Sequence, residues 1–204
     1  MTALSLQTAA HPLAGKILSG STWQPARLTV ARYHSMFEAG ILTEEDKVEL
    51  IDGLLIDKMP VGDRHITCVN KLTTFFVLRF QMQYEYSPQN PIVMSDLSEP
   101  EPDFVVLNLE KRAAHPGKPI ADDAELVIEV ADSTLENDRG YKARMYAFSG
   151  IREYWIINLQ DNQVEVYTRP NTATGTYGSI IISTVEESID SLLCDSVAVA
   201  DLLP

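Results

Sequence analysis

The stretch from Leu126 to Gly150, LVIEVADSTLENDRGYKARMYAFSG, constrains the fold of this chain more than any other. Its first five residues, Leu126 to Val130, are apolar at both alternate sets of positions apart from one acid, which is typical of a strand inside a sheet covered by helices. That acid is Glu129, and a buried carboxylate is costly unless it is paired, protonated or bound to a metal. The segment therefore predicts a buried strand that carries an acid with a specific partner.

An amphipathic helix is predicted directly after this strand, because Asp138 is a suitable N-cap and Gly150 a suitable C-terminal stop. The residues that form its apolar stripe, with i, i+4, i+7 spacing, are Tyr141, Met145 and Phe148. Lys142 would fall in the first turn, where the helix dipole disfavours a cation. An acid in a strand and a base at the positive end of a helix both break local rules, as functional residues often do. On these residues alone, a buried Glu129–Lys142 ion pair without chemistry explains the pattern equally well.

Length and charge limit the classes of protein that this chain can represent. Its 204 residues suffice for one domain, and we expect an N-terminal arm at 1–26 followed by a single domain at 27–204. The formal net charge of −13 gives no global attraction for nucleic acid, so contacts with phosphates must be local or bridged by a metal. Neither a signal peptide nor a run of about eighteen apolar residues is present, so we expect a cytoplasmic protein without membrane contact.

The remaining pattern predicts an α/β domain with a mixed sheet flanked by helices. Asp52-Gly53 between two apolar runs predicts a tight hairpin over residues 48–57. The expected helices cover 28–40, with Thr29 as cap, 63–84, with Asp63 as cap, 138–150 and 195–203. The expected strands cover 92–94, 102–107, 126–130, 153–158, 163–168 and 179–185.

Three side chains of this arrangement suggest chemistry when they are considered together. Asp103 opens one strand and Glu129 lies in the next, and adjacent strands stand ~4.8 Å apart, so their carboxylates can share a hard cation. Lys142 on the following helix can reach over the edge of that sheet. Two carboxylates, a divalent cation and a lysine are the groups needed for metal-assisted phosphodiester hydrolysis. Taken singly, Glu49 reads as a water-facing hairpin acid and His65 as a cap or surface residue.

Five segments, in this order, resemble the Uma family of restriction endonuclease-like proteins, within the PD-(D/E)XK nuclease superfamily. They are VELIDG (48–53), MPVGDRH (59–65), EPEPDFVVL (99–107), LVIEVADST (126–134) and YKARMYAFSGIREYWII (141–157). The resemblance implies a restriction endonuclease-like fold, with a mixed central β-sheet between helices. It also implies that Asp103 and Glu129 are metal ligands, and that Glu49 binds the metal directly or through water.

The lysine of this superfamily normally lies two residues after the second acid, and here that position is Ala131. Families with this departure place the lysine on the next helix, and Lys142 fits that position. His65 matches a histidine at the head of the long helix, where it would contact a phosphate or support a ligand by a hydrogen bond. The resemblance thus implies five catalytic residues: Glu49, His65, Asp103, Glu129 and Lys142.

The function implied is that of a Mg²⁺-dependent endonuclease, with Mn²⁺ as a substitute cation and DNA as substrate. A homodimer that cuts two strands is a further hypothesis, with the aromatic residues of 154–167 as its interface. Two other functions remain open. One is a catalytically silent nuclease fold with a binding or structural role, which the net charge of −13 favours. The other is a metal-dependent hydrolase of a small phosphorylated substrate, for which acidity is less of a handicap.

Overall fold

The chain forms an α/β structure around one mixed sheet; residues 25–114 and 116–204 are described in the computed structural model. The strands are β1 (Val48–Ile51), β2 (Leu54–Asp57), β3 (Tyr84–Pro88), β4 (Phe104–Asn108), β5 (Ala124–Ala131), β6 (Glu153–Asn158), β7 (Gln163–Asn171), β8 (Thr176–Thr184), β9 (Ser188–Ile189) and β10 (Val197–Ala198). The central sheet has the order β3-β4-β5-β6-β7-β8, and only β5 and β6 run parallel within it. The predicted fold class is confirmed.

The helices lie on both faces of this sheet. They are α1 (Val30–Glu38), α2 (Asp63–Phe80), α3 (Leu109–Ala114), α4 and α5 (Val199–Leu202), with 3₁₀ turns at Gln81–Gln83 and Ala121–Asp123. We use α4 for one continuous helical segment made of Leu135–Asn137, the π-helical turn Asp138–Lys142 and Ala143–Phe148. None of the helices in the described ranges is both long and apolar enough to cross a bilayer.

Two cores form because successive residues of a strand point to opposite faces of the sheet. The core beneath α2 contains Leu72, Phe76, Phe104, Val106, Leu126, Ile128 and Trp155. The core beneath α4 and the β1–β2 hairpin contains Ile51, Val105, Leu107, Val127, Tyr146 and Ile156. Glu129 follows Val127 by two residues on β5, so its side chain lies on the α4 face of the sheet.

The predicted hairpin and the first helix are confirmed. Asp52 and Gly53 have φ angles of 49° and 75°, which the tight turn between β1 and β2 requires. Gly53 also lies against the chain that enters α1, because a Cβ there would stand 2.5 Å from Cβ of Arg27. Thr29 caps α1 by accepting a hydrogen bond from the Arg32 amide.

The predicted long helix is wrong at both ends. Its N-cap is Gly62 rather than Asp63, and the helix stops at Phe80, where Gln81 takes a positive φ of 51°. The chain then turns into β3, which pairs antiparallel with β4 and begins at Tyr84, where the sequence predicts the end of the helix. Two apolar side chains of this helix, Ile66 and Leu78, are exposed.

Other predicted boundaries also differ. Residues 92–94 make only an isolated bridge, from Val93 to Ile120, rather than a strand. The helix after β5 begins at Leu135, so Asp138 lies inside it and Lys142 lies away from its first turn. At the C-terminal end, β10 precedes α5 where one helix was predicted. The predicted arm at 1–26 lies outside the described residues except for Pro25 and Ala26.

The aromatic residues proposed as a dimer surface are buried. Tyr154 and Trp155 on β6 are fully covered, and Tyr167 on β7 is 5% exposed. They belong to central strands with a packed layer on each face, so the prediction of an interface over 154–167 is wrong.

Candidate functional site

A cavity of about 550 Å³ opens at the end of β5, between the β1–β2 hairpin, the start of α2 and α4. All five predicted site residues line it: Glu49, His65, Asp103, Glu129 and Lys142. They come from β1, α2, the residue before β4, β5 and the π turn of α4. The structure thus brings together side chains that are up to 93 residues apart in sequence, from Glu49 to Lys142.

Glu129 and Lys142 form a buried ion pair at the wall of this cavity. The Lys142 ammonium lies 2.9 Å from Oε1 of Glu129, and their side chains are 12% and 3% exposed. The hydroxyl of Tyr146 donates to the same oxygen at 2.6 Å. Within the described residues, Oε2 of Glu129 has no hydrogen-bond partner. One carboxylate oxygen is therefore held by two donors and the other is left to the cavity.

The Asp103 side chain is hydrogen-bonded to the neighbouring strand, β5. The pairing of β4 with β5 ends where Phe104 faces Ile128, and the Asp103 side chain continues it by accepting from the Val130 amide at 2.8 Å. Its other oxygen lies 2.9 Å from Nε2 of His65. Asp103 is consequently held next to Glu129 by one backbone contact and one side-chain contact.

His65 and Glu49 complete the wall. His65 is buried, and its Nδ1 has no hydrogen-bond partner among the residues described. Glu49 is also buried, and its Oε2 accepts from the Glu101 amide at 3.1 Å. The expectation that these two were surface residues when taken singly is therefore wrong, because both side chains face the cavity.

Two further groups beside Glu129 and Lys142 were not identified as site residues from sequence. Asp138 is buried, accepts from the Thr134 hydroxyl at 2.5 Å and has an Oδ1 without a hydrogen bond, 3.7 Å from the Lys142 ammonium. Tyr146 is the hydrogen-bond donor to Glu129 described above. The signal for both was the spacing of Asp138, Lys142 and Tyr146 at i, i+4, i+8, which places side chains on one side of a helix.

Burial and like charges perturb the acids of the cavity. Burial raises the pKa of Glu129 well above its ordinary value of 4.5, and Asp103 and Asp138 raise it further, against the opposing effects of Lys142 and Tyr146. Burial likewise raises the pKa of Asp138. Both groups hold a proton more tightly than they would in water.

The pKa of Lys142 shifts in the direction opposite to the one that burial alone would cause. Burial would lower the pKa of Lys142, but the surrounding carboxylates raise it well above 10.5, so the ammonium is charged. Those carboxylates are Glu129, Glu49, Asp138 and Asp103. Four acids surround this one lysine, and a bound cation would favour their ionised forms.

The donor chemistry of the cavity fits a hard divalent cation. Mg²⁺ prefers oxygen ligands and is usually held by one or two carboxylates, with water and substrate phosphate in the other positions. Over residues 25–114 and 116–204, no three acidic, histidine or cysteine side chains form a ready-made metal cluster. Glu49, Asp103 and Glu129 therefore share the cavity without forming a closed cage, an arrangement compatible with a cation that retains several waters.

A family model for Uma2, described as "Putative restriction endonuclease", matches residues 30–196. The chain belongs to this family. The resemblance found in the five sequence segments is thereby confirmed, and with it a nuclease-like function for this Uma2 protein. No curated protein matches the chain.

One solved structure supports the fold of the Uma2 chain. It is similar to the crystal structure of "a putative nuclease belonging to DUF820" from Anabaena variabilis, with a TM-score of 0.60 and 18% identity over 86% of this chain and 97% of that one. The type IIG restriction endonuclease BpuSI matches 58% of this chain and 13% of its own, at 16% identity and a TM-score of 0.36, which is too low to support an argument. At 18% identity, the first match shows the fold alone.

Proposed function

We propose that this Uma2 protein is a Mg²⁺-dependent endonuclease that hydrolyses phosphodiester bonds in DNA. The observation that carries the proposal is the Glu129–Lys142 pair, with 2.9 Å between carboxylate and ammonium, on the wall of a cavity that Asp103 and Glu49 also line. A carboxylate pair beside a charged lysine is the set of groups that metal-assisted phosphodiester hydrolysis requires.

Asp103 and Glu129 would hold the cation, with Glu49 bound directly or through water. The cation would lower the pKa of a bound water and take up charge that develops on the phosphate. Lys142 would orient the attacking water or stabilise the pentavalent anion, which requires the charged form that its raised pKa maintains. A ligand role for Glu129 is supported by its Oε2, which has no partner in the described part of the chain.

His65 would have two roles: it would orient Asp103, and it would contact the phosphate of the substrate. Its Nε2 lies 2.9 Å from Asp103 and so fixes the orientation of that ligand. Its Nδ1 has no partner in the described ranges, although a buried nitrogen that can hydrogen-bond is costly when left alone. A phosphate oxygen or a water carried by the substrate would satisfy it.

A plasmid-nicking assay tests this function. We expect wild-type protein to relax supercoiled DNA with Mg²⁺ or Mn²⁺, and Glu129→Gln and Lys142→Met to lower the rate by about 10²-fold or more. Glu153→Gln is the matched control, because Glu153 is an equally buried acid that instead accepts from Trp155 and the Leu192 amide. Nicking at the wild-type rate by Glu129→Gln would show that the proposed site is wrong.

Metal binding is measured separately by calorimetric titration of Mn²⁺ into wild type and Glu129→Ala. Binding by wild type alone would support Glu129 as a ligand. Equal binding by both proteins would place the metal elsewhere.

A small phosphorylated substrate is the second candidate, and the cavity size favours it. About 550 Å³ lies within the range of roughly 300–1,000 Å³ that small-molecule sites occupy. The chain also carries a net charge of −13, which repels a long polyanion but matters less for a nucleotide. Salt dependence distinguishes the two substrates. Affinity for DNA should fall steeply with ionic strength, whereas affinity for a mononucleotide should change little. If the protein binds Mn²⁺ but hydrolyses neither substrate, the silent binding role is favoured.

A further inference from the structure

The outer edge of the central sheet is an unusually apolar strand. β8 is the last strand in the sheet order, and no described strand pairs with its outer side. Ile180, Ile181 and Ile182 are 53%, 57% and 49% exposed on it. Because neighbouring residues point to opposite faces, apolar side chains are exposed on both sides of this edge.

β8 also lacks the features by which edge strands avoid pairing with other chains. Natural edges carry lysine, proline or inward charges, or are kept very short. The sequence of β8, TYGSIIIST, has none of these residues and extends over nine positions. A long, uncharged, exposed edge is a template for another strand, so we expect a protein surface to cover it.

We propose that β8 pairs antiparallel with β8 of a second copy of this chain, about a twofold axis at Ile181. The sequence around that residue, Ser179-Ile180-Ile181-Ile182-Ser183, is the same in both directions. In antiparallel pairing, Ile181 would therefore face its own equivalent, Ile180 would face Ile182, and Ser179 would face Ser183. In a twofold interface residue i of one copy meets residue j of the other and the reverse, so this register places isoleucine opposite isoleucine and serine opposite serine.

The register is compatible with the pleat of the strand. Within the sheet, Ile181 pairs with Val166 on one face, while Ile180 and Ile182 pair with Tyr167 and Glu165 on the other. A twofold axis at a residue keeps opposed side chains on the same face, whether that pair is hydrogen-bonded or not. The three isoleucines of one copy would thus meet those of the other on both faces of a continuous sheet.

The net charge of the chain favours an uncharged surface such as β8 as the place where two copies meet. Two chains of net charge −13 repel each other, and an uncharged strand is where their approach costs least. Another apolar surface, a groove of about 510 Å³, is lined by Val77, Gln81, Met82, Tyr84, Glu85, Tyr86 and Leu109. That groove includes an acid and has no palindromic sequence, so it provides a comparison surface.

Light scattering after gel filtration tests the interface at tens of micromolar protein. Wild type should elute with twice the chain mass of 22.7 kDa, and Ile181→Lys should elute as a monomer with an unchanged far-UV circular dichroism spectrum. Leu78→Lys is the matched control, since Leu78 is 73% exposed on α2 near the groove, and this variant should remain a dimer. A monomeric wild type, or a dimer that survives Ile181→Lys, would overturn the proposal.

Disulfide trapping tests the register, in a Cys194→Ser background that removes the partly exposed native thiol. Ile181→Cys should form a covalent dimer on mild oxidation, because directly opposed Cβ atoms lie about 4.5–5.5 Å apart. Ser179→Cys should not, because its equivalent lies four residues along the partner strand, at roughly 13 Å. Trapping through Ser179→Cys rather than Ile181→Cys would refute this register.

Discussion

Replacing Lys142 with methionine should lower the free energy of unfolding by about 3 kcal/mol at pH 7.5, because it leaves Glu129 buried without a counter-charge. Breaking a buried pair by removing one partner costs about 3–5 kcal/mol. The lower end applies here because Tyr146 still donates to Glu129 at 2.6 Å and because the raised pKa of Glu129 lets it take up a proton. Methionine retains most of the apolar length of lysine, so the loss reports the charge rather than the packing.

Urea unfolding of four proteins measures this energy: wild type, Lys142→Met, Glu129→Gln and the double variant. Glu129→Gln alone should change stability by no more than about 1 kcal/mol, since Lys142 keeps Asp138 at 3.7 Å. The double variant should recover most of the loss, which gives a coupling energy of about 2 kcal/mol. In thermal unfolding, Lys142→Met should lower the midpoint by roughly 6–12 °C.

Two results would refute this reasoning. If Lys142→Met unfolds within about 0.5 kcal/mol of wild type, Glu129 does not depend on Lys142 for its charge. If the double variant is as unstable as Lys142→Met, the loss comes from packing around the π turn.

Three further predictions concern the rest of the fold and the pH response. Burial raises the pKa values of Glu129 and Asp138 above 4.5 and 3.8, so their stabilising effect is complete below those values and lost as pH rises through the folded-state values. Urea midpoints should therefore fall as pH rises above 4.5, and Glu129→Gln should flatten that fall. Arg139→Ala should cost about 2–3 kcal/mol in urea unfolding, because Arg139 is the cation bound through two nitrogens to the buried Glu165; an unchanged midpoint would contradict it. Leu72→Ala should cost about 2–5 kcal/mol by the same measurement, since Leu72 is fully covered beneath the sheet, whereas Leu78→Ala, at an exposed position, should cost under about 1 kcal/mol.

Local pattern was sufficient to predict the elements that local chemistry determines. The continuous apolar run on both sides of Glu129 placed the acid inside a strand, and Asp52-Gly53 fixed the first hairpin. The contact between Glu129 and Lys142 also followed, because a strand and the helix after it pack together.

Elements that depend on distant partners could not be predicted. Tyr84, the first residue of β3, stands four residues after Phe80 and so continues the apolar spacing of α2. Only the pairing of β3 with β4 and the positive φ of Gln81 separate the two elements. The burial of His65 depends on Asp103, which is 38 residues away in sequence. The burial of Tyr154 depends on layers above and below the sheet, which a strand pattern alone does not reveal.

The π turn at Asp138–Lys142 makes the direction of the Lys142 side chain depend on the number of residues before it. Such a turn contains one residue more than the corresponding α-helical turn. Gly140 lies in open space, since a Cβ built on it would have no atom within 4 Å, so its deletion would let the segment relax to a regular helix. Each residue of an α-helix turns by about 100°, so the ammonium would swing away from Glu129 although every charged group remained. The number of residues in this segment therefore determines the site as much as the presence of its lysine does. A single-residue deletion would distinguish the effect of spacing from the effect of residue identity.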